Sequence, residues 1–190
     1  MATGERSMIE AGEFRDRFQA PTLLKLFDYW QSVRGARPMP NWSDIRPEEM
    51  AIVLPHIWAW RVIGEDEVQL RLVGESIYQA MSRDLRGKTP EDLYPAAAGG
   101  EIRARLLKVA RLPAGNATVG DVFHDTEKIG TGARLALPYA DGRGGLGVIG
   151  ASILVPLSDP ATGQPRLVNP KAFFTLVGTE SWLRLAPDPA

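Results

Sequence analysis

Residues 57–87 read IWAWRVIGEDEVQLRLVGESIYQAMSRDLRG, and the succession of patterns inside this stretch decides the fold. The run VQLRLV alternates, with Val68, Leu70 and Leu72 on one face and Gln69, Arg71 and Val73 on the other, the period of two that a strand imposes. The run before it, IWAWRVI, is apolar on both faces: Trp58, Trp60 and Val62 stand opposite Ile57, Ala59 and Ile63. Such a strand needs cover on both sides. Gly-Glu-Asp-Glu joins the two runs as a β-hairpin. At Gly74 the period changes, because ESIYQAMSR sets Ile77, Tyr78 and Met81 on one side of a short helix. Gly74 permits the sharp turn, and Ser76 reads as a turn or N-cap residue.

Working outward, TLLKLFDYWQSVR places Leu23, Leu26, Phe27, Trp30 and Val33 on one helical face, with Gly35 as the stop. RPMPNW cannot continue that helix. SDIRPEEMAIVLP restarts one, capped by Ser43 or Asp44 and ended by Pro55. Downstream, TPEDLYP makes a brief helical turn, and GEIRARLLKVARLP makes a longer helix with Ile102, Leu106, Val109 and Ala110 inward. Three strand-like runs follow, ATVGDVFHDT, ARLALPYA and LGVIGASILVPL, the last two joined by DGRGGLG. Two strands, short helices and three strands imply one five-stranded antiparallel sheet with helices over one face, an α+β domain. The expected division is an N-terminal arm (1–21), a domain with an N-terminal helical segment (22–157) and a C-terminal extension (158–190).

Composition removes several classes. With 190 residues and 44% hydrophobic content the chain can bury a core. Lys plus Arg is 22 against 23 for Asp plus Glu, so a net charge of −1 gives no general pull toward nucleic acid or anionic membrane. There is no cysteine, hence no disulfide, thiolate metal site or cysteine nucleophile. The charged N-terminal stretch lacks a signal-peptide core, and no apolar run reaches membrane-spanning length. A cytoplasmic location is the expectation.

Four motifs bear on chemistry. Gly142, Gly144 and Gly147 match G-x-G-x-x-G literally, but VIGASILVPL after them reads as strand, so a hairpin turn fits better than a dinucleotide fingerprint. Gly74-Glu75-Ser76-Ile77-Tyr78 starts like a nucleophile elbow, yet Tyr78 stands where its second glycine belongs, and only His56 and His124 could serve as base. In the run His124-Asp125-Thr126-Glu127, alternation along a strand sends neighbours to opposite faces, so the four cannot converge on a metal. Trp58, Trp60, Tyr78 and Met81 fall where a sheet would face a short helix, and they line either a pocket or a plain packed core.

Beyond these patterns, the segments LFDYWQSVRGARPMPNWSDIRPEEM (26–50), LPHIW (54–58), RLVGESIYQAMSRDLRGKTPEDLY (71–94) and LPYADGRGGLG (137–147), in that order, carry a resemblance. Over roughly residues 22–157 the chain resembles a short, free-standing bacterial PAS-like subfamily of the PAS domain superfamily. That resemblance implies a five-stranded sheet with a cup of short helices, and a non-catalytic sensory or protein-interaction module. The implied partner is a small-molecule ligand or a signalling protein, and the candidate cup-lining residues are Trp58, Trp60, Tyr78, Met81 and Leu106. It names no cofactor. A flavin adduct would need a cysteine, and haem an axial ligand, while the helical stretch 75–113 contains no histidine. A structural dimerisation module with a filled cup is the alternative, and a hydrolase using Ser76 is a third reading. PAS domains often pair, and the apolar face of Leu23, Phe27 and Trp30 needs cover, so a homodimer through the N-terminal helix is expected.

Overall fold

Pro21 and Gly35 frame the helix that organises one side of the molecule. Proline supplies the fixed φ of a first turn, and Gly35 (φ 57°) ends the helix where an L side chain would be strained. The computed structural model describes residues 8–18, 20–81, 85–124, 127–142, 144–158 and 174–185. In chain order its elements are β1 (Met8–Ile9), α1 (Ala11–Asp16), α2 (Pro21–Arg34), β2 (Ile57–Ile63), β3 (Glu67–Val73), α3 (Glu75–Met81), α4 (Pro90–Leu93), α5 (Ala96–Arg111), β4 (Ala114–His124), β5 (Glu127–Ala140), β6 (Leu146–Pro156) and β7 (Phe174–Arg184). Between α2 and β2 lie three short 3-10 turns, Trp42–Asp44, Pro47–Met50 and Leu54–His56, instead of the single helix expected from SDIRPEEMAIVLP. Pro47 and Pro55 each restart the backbone there, and neither can donate the bond a longer helix requires.

The sheet has seven strands in the order β1-β7-β4-β5-β6-β2-β3, which corrects the expectation of five. The five expected strands occupy one continuous block, and β7 and β1 extend it beyond β4. β7 runs antiparallel to β4 from Ala114–Arg184 to His124–Phe174, and β1 adds a short parallel pairing, Met8 with Trp182 and Ile9 with Leu183. Segments read as an arm and an extension thus both contribute strands. Pairing hides the row of backbone donors and acceptors that an open β4 edge would present.

Alternation along the strands feeds two separate cores. On one face, Ile57, Ala59, Leu135, Leu137, Tyr139 and Ile149 pack with Phe14, Phe18, Leu23, Leu26, Phe27 and Trp30 from α1, α2 and the segment between them. On the other, Trp58, Trp60, Ala136, Val148 and Trp182 pack with Leu106, Leu107, Val109 and Ala110 of α5 and with Leu85 and Leu93. Strand β2 is covered on both sides, as its sequence requires. Burying each large α2 side chain is worth roughly 1.5–3 kcal/mol. Leu23, Leu26, Phe27 and Trp30 are all at most 2% exposed within a single chain, so the apolar face that motivated a homodimer through this helix is taken up by the chain's own sheet.

One register detail departs from simple alternation. Ala59 pairs with Leu72 but Trp60 pairs with Leu70, a bulge that leaves Arg71 as the extra residue. Val68 and Leu70 therefore join the α5-side core while Leu72 packs on the α2 side, so the three leucine and valine positions do not share one face. Arg71 reaches the same side, its guanidinium 2.5 Å from Asp141 and 4.1 Å from the centre of the Trp42 ring. Asp141 begins the glycine-rich turn, whose Gly142 (φ 58°) and Gly144 (φ 80°) bring β6 back antiparallel to β5. The G-x-G-x-x-G match is a hairpin turn.

A cavity beneath the long helix as the candidate functional site

Between the sheet and helices α3, α4 and α5 lies a cavity of about 290 Å³. Its existence follows from the sequence at two places. Gly74 brings α3 directly against the 3-10 turn before β2: its amide donates to the Ile57 carbonyl at 2.7 Å, and a Cβ there would collide with the Leu54 and Pro55 carbonyls. The close approach, rather than an unusual φ, explains the glycine. Thr89 caps α4 through a reciprocal pair with Asp92, in which Asp92 N–H donates to Thr89 Oγ1 at 3.3 Å and Thr89 N–H to the carboxylate at 2.9 Å. The Thr89 backbone N–H, and after it the Thr89 hydroxyl, hold the Asp92 carboxyl below its ordinary value. The two devices fix the ends of the segment that roofs the cavity.

Its walls are mainly apolar. Trp58 and Trp60 from β2 and Leu106 from α5 line it, each at most 8% exposed, with Leu70 and Val109 beside them. Sequence had paired Tyr78 and Met81 with these as cup-lining residues, and Tyr78 is corrected by the structure: it is 47% exposed and does not line the cavity. Successive helical residues are rotated by about 100°, and here α3 is turned so that Ile77 rather than Tyr78 faces the sheet. Ile77 takes the inner position, and Ser76 reaches the cavity too. The Met81 side chain lies outside the described residues, as do Asp125, Thr126 and the His124 side chain. His56 also lines the cavity, and no hydrogen bond joins it to Ser76 among the described residues.

The floor carries polar groups that sequence reasoning missed. Register pairs Ser152 with Arg134, Arg134 with Thr118, and Thr118 with Glu180, so four residues on β6, β5, β4 and β7 form one cross-strand row facing α5. The neighbouring row runs Trp58, Gly150, Ala136, Asn116 and Trp182. Trp58 Nε1 donates to Ser152 Oγ at 3.0 Å, and Arg134 Nε donates to the same oxygen at 3.3 Å. Arg105 on α5 descends to Glu180 at 2.7 Å. Asn116 donates through Nδ2 to the Ser181 carbonyl at 3.4 Å, while its Oδ1 and the Thr118 hydroxyl are buried with no protein partner among the described residues.

Arg134 is the unusual member. It is half-buried, and among the described residues Ser152 is its one side-chain partner. Burial pushes its guanidinium below its ordinary value; the Tyr94 phenol opposes that shift and the Arg105 charge adds to it. The signal in sequence was faint but present. Within ARLALPYA, Leu135, Leu137 and Tyr139 share one face, which leaves Arg134 on the opposite one among Ala136 and Pro138, an odd place for a cation in a central strand.

The family model described as "PAS domain" matches residues 18–144. A solved structure, the PAS domain from Bordetella pertussis BvgS, is similar at 18% sequence identity with a TM-score of 0.43, covering 60% of this chain and 88% of that chain. No curated protein matches the sequence.

Proposed function

The chain belongs to the PAS domain family, and we propose on that premise that it is a sensory module whose input is a small molecule held in the cavity beneath α5. Family membership supports the general role of a sensory or interaction module acting by binding rather than catalysis. The observation that carries the finer reading is the cavity itself. At about 290 Å³ it lies near the lower end of small-molecule pockets, and it joins two tryptophans and a leucine to a few converging polar groups, the composition such sites have. A filled core, the competing structural reading, would leave no such space. Binding in this cavity has a direct route outward, because β2, β5 and β6 contribute residues both to its walls and to the core packed against α1 and α2. A signalling partner would read that opposite layer.

Native mass spectrometry of the full chain, isolated from its own cells without denaturation, tests the reading. The expected result is a non-covalent mass excess of a few hundred daltons or less, lost on denaturation and reduced in a Leu106→Trp variant that fills the cavity. A bare polypeptide mass, together with a Leu106→Trp variant that is more stable and otherwise unchanged in its partners, would establish the filled-core reading in its place.

A further inference from the structure

Around Arg134 and Ser152 the cavity presents mainly donors, while Asn116 Oδ1, buried with no protein partner among the described residues, adds an acceptor to its lining. Ser152 Oγ already accepts from Trp58 Nε1 and from Arg134 Nε, which occupies both of its lone pairs and leaves its own O–H to donate. Arg134 lines the same space, and no ion pair joins it to a carboxylate among the described residues. Arg105 also lines the cavity, but Glu180 neutralises it at 2.7 Å. One positive charge is therefore uncompensated in a cavity whose walls are mainly apolar. A cation so placed is costly unless something anionic meets it. A cation of this kind calls for an anionic acceptor group, and a planar carboxylate suits a guanidinium fork.

Resting on the reading of this cavity as the sensing site, we infer that it takes a small monocarboxylate, the carboxylate against Arg134 and Ser152 and the apolar body between Trp58, Trp60 and Leu106. A single unpaired cation selects one negative charge over two or three. At about 290 Å³ the cavity suits a small ligand, such as an arylacetic or medium-chain acid.

Calorimetric titration of the full chain at neutral pH with phenylacetate and octanoate, against the neutral phenylacetamide and octanamide, tests the assignment. At least one acid should bind about tenfold or more tighter than its amide, as a charge-assisted pair requires. Arg134→Gln should erase that preference, bringing the affinity of the acid down to that of the amide. Equal binding of acid and amide would overturn the carboxylate assignment and leave the sensing cavity standing; heat from neither acid would overturn the assignment as well. A second measurement needs no ligand. If Arg134 is kept for a ligand, Arg134→Met should melt no lower than the parent chain, since an apolar side chain replaces an unpaired cation. A melting point several degrees lower would make Arg134 a structural residue and sink the inference.

Discussion

Trp30 Nε1 donates to the carbonyl of Pro138 at 2.9 Å, joining α2 to the middle of the sheet. The ladder between β4 and β5 stops at Asn116–Ala136, two residues short of Pro138, and the indole supplies a donor where that ladder has ended. Trp30 is 1% exposed, so the bond is shielded from water. Trp30→Phe keeps most of the apolar volume and removes the donor. It should cost about 1–3 kcal/mol, the penalty for a buried carbonyl left without a partner, measured by urea denaturation. A cost near zero would show that the carbonyl finds another donor.

Ser152 is the acceptor that holds Trp58 and Arg134 in place. Ser152→Ala should destabilise the protein by about 1–3 kcal/mol, because it strands two donors at once. The same variant should shift the tryptophan fluorescence spectrum, as the Trp58 indole loses its polar contact. An unchanged spectrum with unchanged stability would mean the contact contributes nothing.

Gly150 lies directly under the Trp58 ring, where an added Cβ would overlap the indole and the Leu135 carbonyl. Gly150→Ala must push Trp58 into the cavity. The expected outcome is destabilisation of about 1–3 kcal/mol from overpacking, with small-molecule binding reduced more than tenfold. Retained binding at full stability would show that the indole can move aside freely.

Three carboxylates fix a direction of pH dependence. Asp28 is held below its ordinary value by a hydrogen bond from Arg15, Asp44 by one from Arg37, and Asp92 by the Thr89 backbone N–H. A lowered folded-state value means these contributions are complete above the unfolded carboxylate range near pH 3.9 and are lost as the pH falls through the lower folded values. Asp28 and Asp92 are exposed and Asp44 is only partly covered, so each contribution is small. Acid titration followed by circular dichroism should show stability declining below about pH 4. Asp44→Asn combined with Asp92→Asn should flatten that decline, and a steeper one would contradict the sign.

Much of the architecture is written in local periodicity. The hairpin of β2 and β3, helices α2 and α5 and the turn at Gly142 and Gly144 all fall close to where spacing and glycine placed them. Trp58 and Trp60 reach the cavity for the reason alternation gave, since they occupy the face opposite Ile57 and Ala59. What escaped depends on contacts distant in sequence. Pairing of β7 with β4 joins Thr179 to Val119, and only the assembled sheet shows that the tail belongs there. The bulge at Ala59 and Trp60 alters the faces of Leu72 and Val73, which strict alternation assigns wrongly. Arg134 and Ser152 come from different strands, and their meeting is a matter of register, which no single segment encodes.

Trp58 and Ala59 are covalent neighbours, yet one belongs to the core under α5 and the other to the core under α2. The same holds for Leu135 and Ala136 on β5, and for Val148 and Ile149 on β6. The two apolar layers are therefore opposite faces of the same backbone hydrogen bonds, and neither can melt while the other keeps its strands. Denaturation should proceed as one cooperative transition, with tryptophan fluorescence and far-ultraviolet circular dichroism tracing a single curve. A ligand that tightens one layer would then raise the free energy of opening amides in the other, visible as slowed hydrogen exchange at α2 far from the bound molecule.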